Sequence, residues 1–168
     1  MPACAVIALA LLGLIAREGV TFSHCVPTIL QMMLASPAAQ TTDLAGWKVV
    51  IGGSALPVPL ARAALERGID VIGGYGMSET MAATHINPPQ RPKPQCLGIP
   101  VFDVDARVVD PDTLRELPPG ESGEIVVHGP QVMQGYWNNP EATASSFVEL
   151  DGKRFLRTGD LAFVDADG

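Results

Sequence analysis

Cysteine is scarce in this sequence: Cys4, Cys25 and Cys96 are the only three in 168 residues, an odd number without metal-ligand spacing. That argues against a disulfide framework or a zinc site and favours a reducing compartment, with cytoplasm as the default. Basic residues are outnumbered, 11 Lys and Arg against 18 Asp and Glu, and they form no stripe. A nucleic-acid partner is therefore not expected, because a phosphate backbone is bound by a basic face that displaces counterions. A long hydrophobic run is also missing. Residues 1–16 are uncharged and mostly apolar, but they fall short of the roughly 20 residues that span a bilayer. No positive residues precede this run as they would in a signal peptide, so no membrane is required. The run reads as a helix for a protein core, closed by Arg17, Glu18 and a terminating Gly19. There is no internal repeat and no low-complexity tract.

What is present is enough for a folded core: 47% of residues are hydrophobic and 17% charged, which places the chain among globular proteins. The charge is uneven. Residues 1–100 carry six Lys and Arg against five Asp and Glu, whereas residues 101–168 carry five against thirteen, giving +1 and −8. This shift falls beside the proline-rich run Pro88-Pro89-Gln90-Arg91-Pro92-Lys93-Pro94. It predicts two parts, residues 1–100 and residues 101–168.

The first part alternates strand and helix patterns. Val20 to Val26 has strand composition, Pro27 opens a short helix through Leu34, and Lys48-Val49-Val50-Ile51 reads as a second strand ending in Gly52-Gly53. Leu60, Ala61, Ala64 and Leu65 recur at helical spacing before Gly68, and Ile69-Asp70-Val71-Ile72 is a third strand. This order predicts an α/β fold, a partial parallel sheet with flanking helices. Parallel strands put their carboxyl ends on one edge, so Gly52-Gly53 and Gly73-Gly74 are expected on the ligand-binding edge. The second part is β-rich, with strands expected at residues 104–109, 123–129 and 155–164, and it predicts a small distorted β-barrel or sheet. Asn139-Pro140-Glu141 opens a short helix. Asp165-Ala166-Asp167-Gly168 is a hairpin turn with no strand after it, so the second part is expected to be truncated at its carboxyl end.

The densest chemistry lies in Gly73-Gly74-Tyr75-Gly76-Met77-Ser78-Glu79-Thr80. Its glycines let backbone approach a flat ligand, Tyr75 supplies an aromatic face, and Ser78, Glu79 and Thr80 supply oxygens where Met81 to Thr84 is expected to begin a helix. That combination suits a nucleotide and a metal ion.

Three motifs in order closely resemble the core motifs of AMP-forming acyl-CoA synthetases, which belong with adenylation domains and luciferases. They are residues 74–80, residues 129–143 around Gly135-Tyr136-Trp137-Asn138-Asn139-Pro140-Glu141, and Arg157-Thr158-Gly159-Asp160-Leu161. Val26-Pro27-Thr28 and Gly52-Gly53-Ser54-Ala55-Leu56-Pro57 also resemble that family. Within it, residues 23–32 look most like fatty-acid CoA ligases acting on medium- or long-chain acids. The resemblance implies a ligase that joins a carboxylic acid to ATP, releases pyrophosphate, and passes the acyl group to coenzyme A. It implies that Gly73, Gly74, Tyr75 and Gly76 hold the adenine, that Glu79 binds Mg²⁺, and that Thr80 and Ser78 donate to the α-phosphate. Asp160 would bind the ribose hydroxyls, and Gly53, Ala82, Ala83 and His24 would border the acyl pocket.

Each residue also has an ordinary reading. Taken singly, Glu79 is a surface acid at a helix start, Asp160 a turn aspartate, Tyr75 a core aromatic, and the histidines structural. The family's phosphate loop and its catalytic lysine match nothing in these residues, and Lys153 does not fit that lysine's motif. The expectation is an internal piece of the synthetase's large amino-terminal domain, lacking parts on both sides and inactive alone. Two other readings are a non-catalytic remnant that binds a nucleotide or subunit, and a serine hydrolase using Ser78. The second requires the strand, turn and helix of a nucleophile elbow.

Overall fold

A computed structural model of the chain describes residues 3–93 and 95–168. Met1, Pro2 and Pro94, which belong to the apolar run and the proline-rich stretch, lie outside them. The chain forms two compact units, one of Met1–Gly76 with His85–Gly98, the other of Met77–Thr84 with Ile99–Gly168.

The first unit begins with α1 (Ala3–Glu18), followed by β1 (Phe22–Cys25), α2 (Pro27–Ala35), β2 (Lys48–Ile51), α3 (Val58–Glu66) and β3 (Asp70–Gly76). Gly19 closes α1 at φ +62°, and the Val20 amide donates to the Ile15 carbonyl at 3.2 Å, the six-to-one bond of a glycine-terminated helix. Strands β1, β2 and β3 are parallel neighbours, with Cys25 level with Ile51 and Ile51 level with Gly73. One sheet face is covered. Ala8, Leu12 and Ile15 recur along one side of α1, and with Leu30 and Met33 of α2 they join Val49 and Ile51 of β2 in a single core. Full burial of each large side chain contributes about 1.5–3 kcal/mol. The alternate residues of the same strands lie on the other face, where Phe22 is 58% exposed.

Strand β4 (Ala83–Ile86) carries the chain back into the first unit. Residues 81–84 therefore do not begin a helix, as the sequence had led one to expect. Ser78–Thr80 is instead a single 3-10 turn, and Met81 follows it at φ +57°. A residue in that left-handed region breaks helical continuation. The second unit adds β5 (Ile99–Pro100), β6 (Asp105–Val109), β7 (Gly123–His128), α4 (Pro140–Ser145), β8 (Phe147–Leu150) and β9 (Lys153–Ala162).

The last four strands of this unit form an antiparallel sheet in the order β6-β7-β9-β8. Of the distorted barrel or sheet expected, it is an open sheet and not a closed barrel, since four strands are too few to curl shut around side chains. Val109, Val126 and Phe155 fill its core, with the Arg107 guanidinium 4.9 Å above the Phe155 ring. Asp105 receives both Arg107 and Lys153, the latter at 2.7 Å, and the Arg107 hydrogen bond chiefly holds its carboxyl below the usual carboxylate range. Lys153 is thus tied into a surface ion pair. The turn between β8 and β9 uses Asp151 and Gly152, both at positive φ, as tight hairpins require. Among the described residues, no helix is long and apolar enough to cross a membrane.

Candidate functional site

In the first unit the strand register shapes the carboxyl edge of the sheet. Because Cys25 ends β1, Ile51 ends β2, and both are level with Gly73, the last residues of β3, Gly74, Tyr75 and Gly76, run beyond the ends of β1 and β2. Gly73 is fixed from below: its carbonyl accepts the Asn87 amide at 2.8 Å. The buried Asn87 side chain in turn accepts from the Lys93 amide at 2.9 Å and donates to the Lys93 and Cys96 carbonyls. The Tyr75 ring lies 5.7 Å from that of His85, tilted by 58°. Burial lowers the His85 pKa below its ordinary value, so this imidazole is neutral at pH 7 and offers no charge to a phosphate.

The two glycine pairs do meet on this edge. A Cβ on Gly52 would lie 3.3 Å from His24 Nε2 and 3.5 Å from the Gly74 carbonyl, so the missing side chain makes room for the His24 ring. Gly53 has φ +81°, and a Cβ there would touch Val26. A separate cavity of about 350 Å³ in this unit is lined by Val20, Thr21 and Trp47 among others. Those residues precede β1 and β2, so it opens at the opposite edge of the sheet and not beside the glycines.

In the second unit the oxygens after the glycines divide their work. Thr80 is fully buried. Its hydroxyl accepts the Met77 amide at 3.1 Å, and its one proton serves the Met77 carbonyl at 3.0 Å or the Ala82 carbonyl at 2.8 Å. Thr80 is therefore the clasp of the turn, whereas Ser78 is exposed. Ala82 is exposed and Ala83 half-buried where β4 starts. Thr80→Val is expected to lower unfolding free energy by about 1–3 kcal/mol, the cost of an unpaired buried amide. Ser78→Ala should leave stability unchanged, and thermal melts of the two variants make the comparison.

Glu79 is held by residues that the sequence reading used only as motif members. Tyr136 donates its hydroxyl to Glu79 Oε1 at 2.9 Å, and the Met133 amide donates to the Glu79 carbonyl at 2.7 Å. Tyr136 is itself positioned by α4. Asn139 caps that helix by accepting the Ala142 amide, and Thr143 Oγ1 accepts the Tyr136 amide at 2.9 Å. A side chain at Gly135 would strike Thr143 at 2.5 Å. Residues 135–143 thus act as a brace for Glu79. The hydrogen bond to Glu79 chiefly raises the Tyr136 pKa and keeps the phenol a donor.

One oxygen of Glu79 is fixed in this way, and the other makes no hydrogen bond among the described residues. No group of three or more His, Cys, Asp or Glu that could hold a metal by itself occurs among them. A single oriented carboxylate fits Mg²⁺, which takes one or two carboxylates and completes its shell with phosphate oxygens and water. Asp160 is exposed on β9, its amide donating to Thr158 Oγ1 at 3.1 Å, next to Gly159 at φ +74°. Strand β4, not a helix, follows the Ser78 turn, so the nucleophile elbow needed for a serine hydrolase is absent there.

Comparison with known proteins agrees with these motifs. The chain is 40% identical over 166 residues to a feruloyl-CoA synthase of Amycolatopsis sp, covering 95% of this chain and 32% of that protein. It is 41% identical over 146 residues to a long-chain-fatty-acid–CoA ligase of Bacillus subtilis, covering 84% of this chain and 25% of that one. A crystal structure of an anthranilate CoA ligase in complex with anthranoyl-AMP superposes with a TM-score of 0.87 at 32% identity, over 100% of this chain and 32% of that one. The chain spans about a third of the length of the first of these relatives. The model of the AMP-binding enzyme family matches residues 2–137. The chain belongs to the AMP-binding enzyme family.

Proposed function

We propose that this chain is the adenylate-holding portion of an ATP-dependent, AMP-forming acid–CoA ligase acting in the cytoplasm. The observation that carries the reading is the bracing of Glu79 by Tyr136, which fixes one carboxylate where the motif calls for a magnesium ligand. Gly73, Gly74 and Gly76 offer backbone to the adenine while Tyr75 lies along it, because an aromatic face beside bare backbone suits a purine. Ser78 donates to the α-phosphate, Thr80 keeps the turn closed beneath it, and Asp160 accepts from the ribose hydroxyls. Mg²⁺ held by Glu79 would neutralise phosphate charge. Gly53, Ala82, Ala83 and His24 border the acid.

The acid is a medium- or long-chain fatty acid by the resemblance of residues 23–32 and by 41% identity to the Bacillus subtilis ligase. A phenylpropenoic acid is the competing substrate, favoured by 40% identity to the feruloyl-CoA synthase.

A titration with ATP, with and without Mg²⁺, tests the reading. Mg²⁺ is expected to strengthen ATP binding to the wild-type chain, and Glu79→Gln to remove about tenfold of that gain, the worth of one charge-assisted contact. Equal magnesium dependence in the two proteins would refute the role of Glu79.

A further inference from the structure

Strands β7 and β9 fall out of step beside Asp160. Glu124 pairs with Leu161 and Val126 with Arg157, so a two-residue step on β7 answers a four-residue step on β9. Thr158, Gly159 and Asp160 form the resulting bulge. Bulges re-aim side chains but release backbone groups from the ladder, and those groups need new partners. Thr158 Oγ1 donates to the Ile125 carbonyl at 2.7 Å and accepts the Asp160 amide at 3.1 Å. The Gly159 amide at the tip donates to Glu124 Oε1 at 3.0 Å. The other oxygen, Oε2, accepts from Arg157 Nε at 2.9 Å and from Arg157 Nη2.

The side chain of Glu124 is only 6% exposed. A carboxylate that deep is tolerated when it is paired and its lone pairs are used. Here one oxygen grips the strand before the bulge and the other grips the tip of the bulge. No other side-chain type of this size can do both. Glutamine has a single acceptor oxygen, so one of the two donors would face an NH₂ group.

We propose that Glu124 is a positioning residue: through Arg157 and the Gly159 amide it fixes the bulge that presents Asp160 to the ribose hydroxyls of the nucleotide. This inference rests on the assignment of Asp160 to the ribose. Glu124 touches no ligand, and its effect is confined to the two hydroxyls that Asp160 serves.

The test compares AMP with 2′,3′-dideoxy-AMP, which lacks those hydroxyls, in NMR titrations of the 168-residue chain. The wild type is expected to prefer AMP by about tenfold or more, and Asp160→Ala to abolish the preference. Glu124→Gln is expected to remove most of the preference while leaving dideoxy-AMP affinity unchanged. Arg157→Lys keeps the ion pair but loses the two-pronged grip; it should remove part of the preference, and it decides the matter if Glu124→Gln does not fold. An undiminished preference in these variants overturns the proposal, as does an equal loss for both nucleotides, the mark of a merely structural role. Absence of a ribose preference in the wild type, or its persistence in Asp160→Ala, overturns the ribose assignment itself and the inference with it.

Discussion

Asp160→Ala is expected to weaken AMP binding by about ten- to a hundredfold, because a carboxylate accepting from both ribose hydroxyls makes two charge-assisted contacts worth about 1.5–3 kcal/mol each before compensation by water. Asp160 is exposed, and the bulge that carries it is closed by Thr158 and by the Gly159 amide, so the binding loss is measured apart from any change in stability. Calorimetric or NMR titration gives the affinity, and a thermal melt gives the stability; a variant that binds AMP as the wild type does would remove Asp160 from the site.

The second large effect concerns backbone. Gly98→Ala is expected to cost at least about 3 kcal/mol, since the new methyl group cannot be accommodated by side-chain movement. Its Cβ would stand 2.2 Å from the Ile86 carbonyl carbon and oxygen, at a glycine with φ +96°. The loop from Pro88 onward would have to leave Ile86 and Asn87, and the Asn87 hydrogen bonds that brace Gly73 would go with it. Gly13→Ala is the control: nothing lies within 4 Å, the residue sits inside α1, and alanine there should stabilise by about 0.5–1 kcal/mol. Urea unfolding with constant m-values measures both changes. A Gly98→Ala protein as stable as wild type would mean that this loop does not pack as described.

The parts of this structure that could be read in advance are those specified by neighbouring residues. Lys48 to Ile51 is a strand by composition, α3 ends at a glycine, and α4 starts at Asn139 with proline behind it. Each signal is local, and each element formed where it was expected. The order of strand, helix, strand fixed which edge carries the glycine pairs, and Gly52 and Gly74 do meet there.

The misses have a common physical origin. The helix expected after Glu79 gives way to β4 because the Thr80 hydroxyl closes a turn on Met77 and Ala82, a side-chain choice with no periodic signature. Strand β8 is four residues long and became a strand by pairing with β9 across the Asp151-Gly152 turn. The bracing of Glu79 by Tyr136 joins residues 57 apart, and Glu124 reaches Gly159 across 35. Long-range hydrogen bonds such as these leave no local pattern. The motif order identified the family without revealing which oxygen closes a turn and which one stays exposed.

The central claim is that Ser78, Glu79 and Asp160 answer to one adenosine nucleotide. The most direct measurement is a backbone amide NMR titration of the wild-type chain with AMP. The account predicts saturable shifts of Ser78 and Glu79 together with Gly159 and Asp160, all following one binding curve. Shifts confined to other residues, or no shift at millimolar AMP, would contradict it.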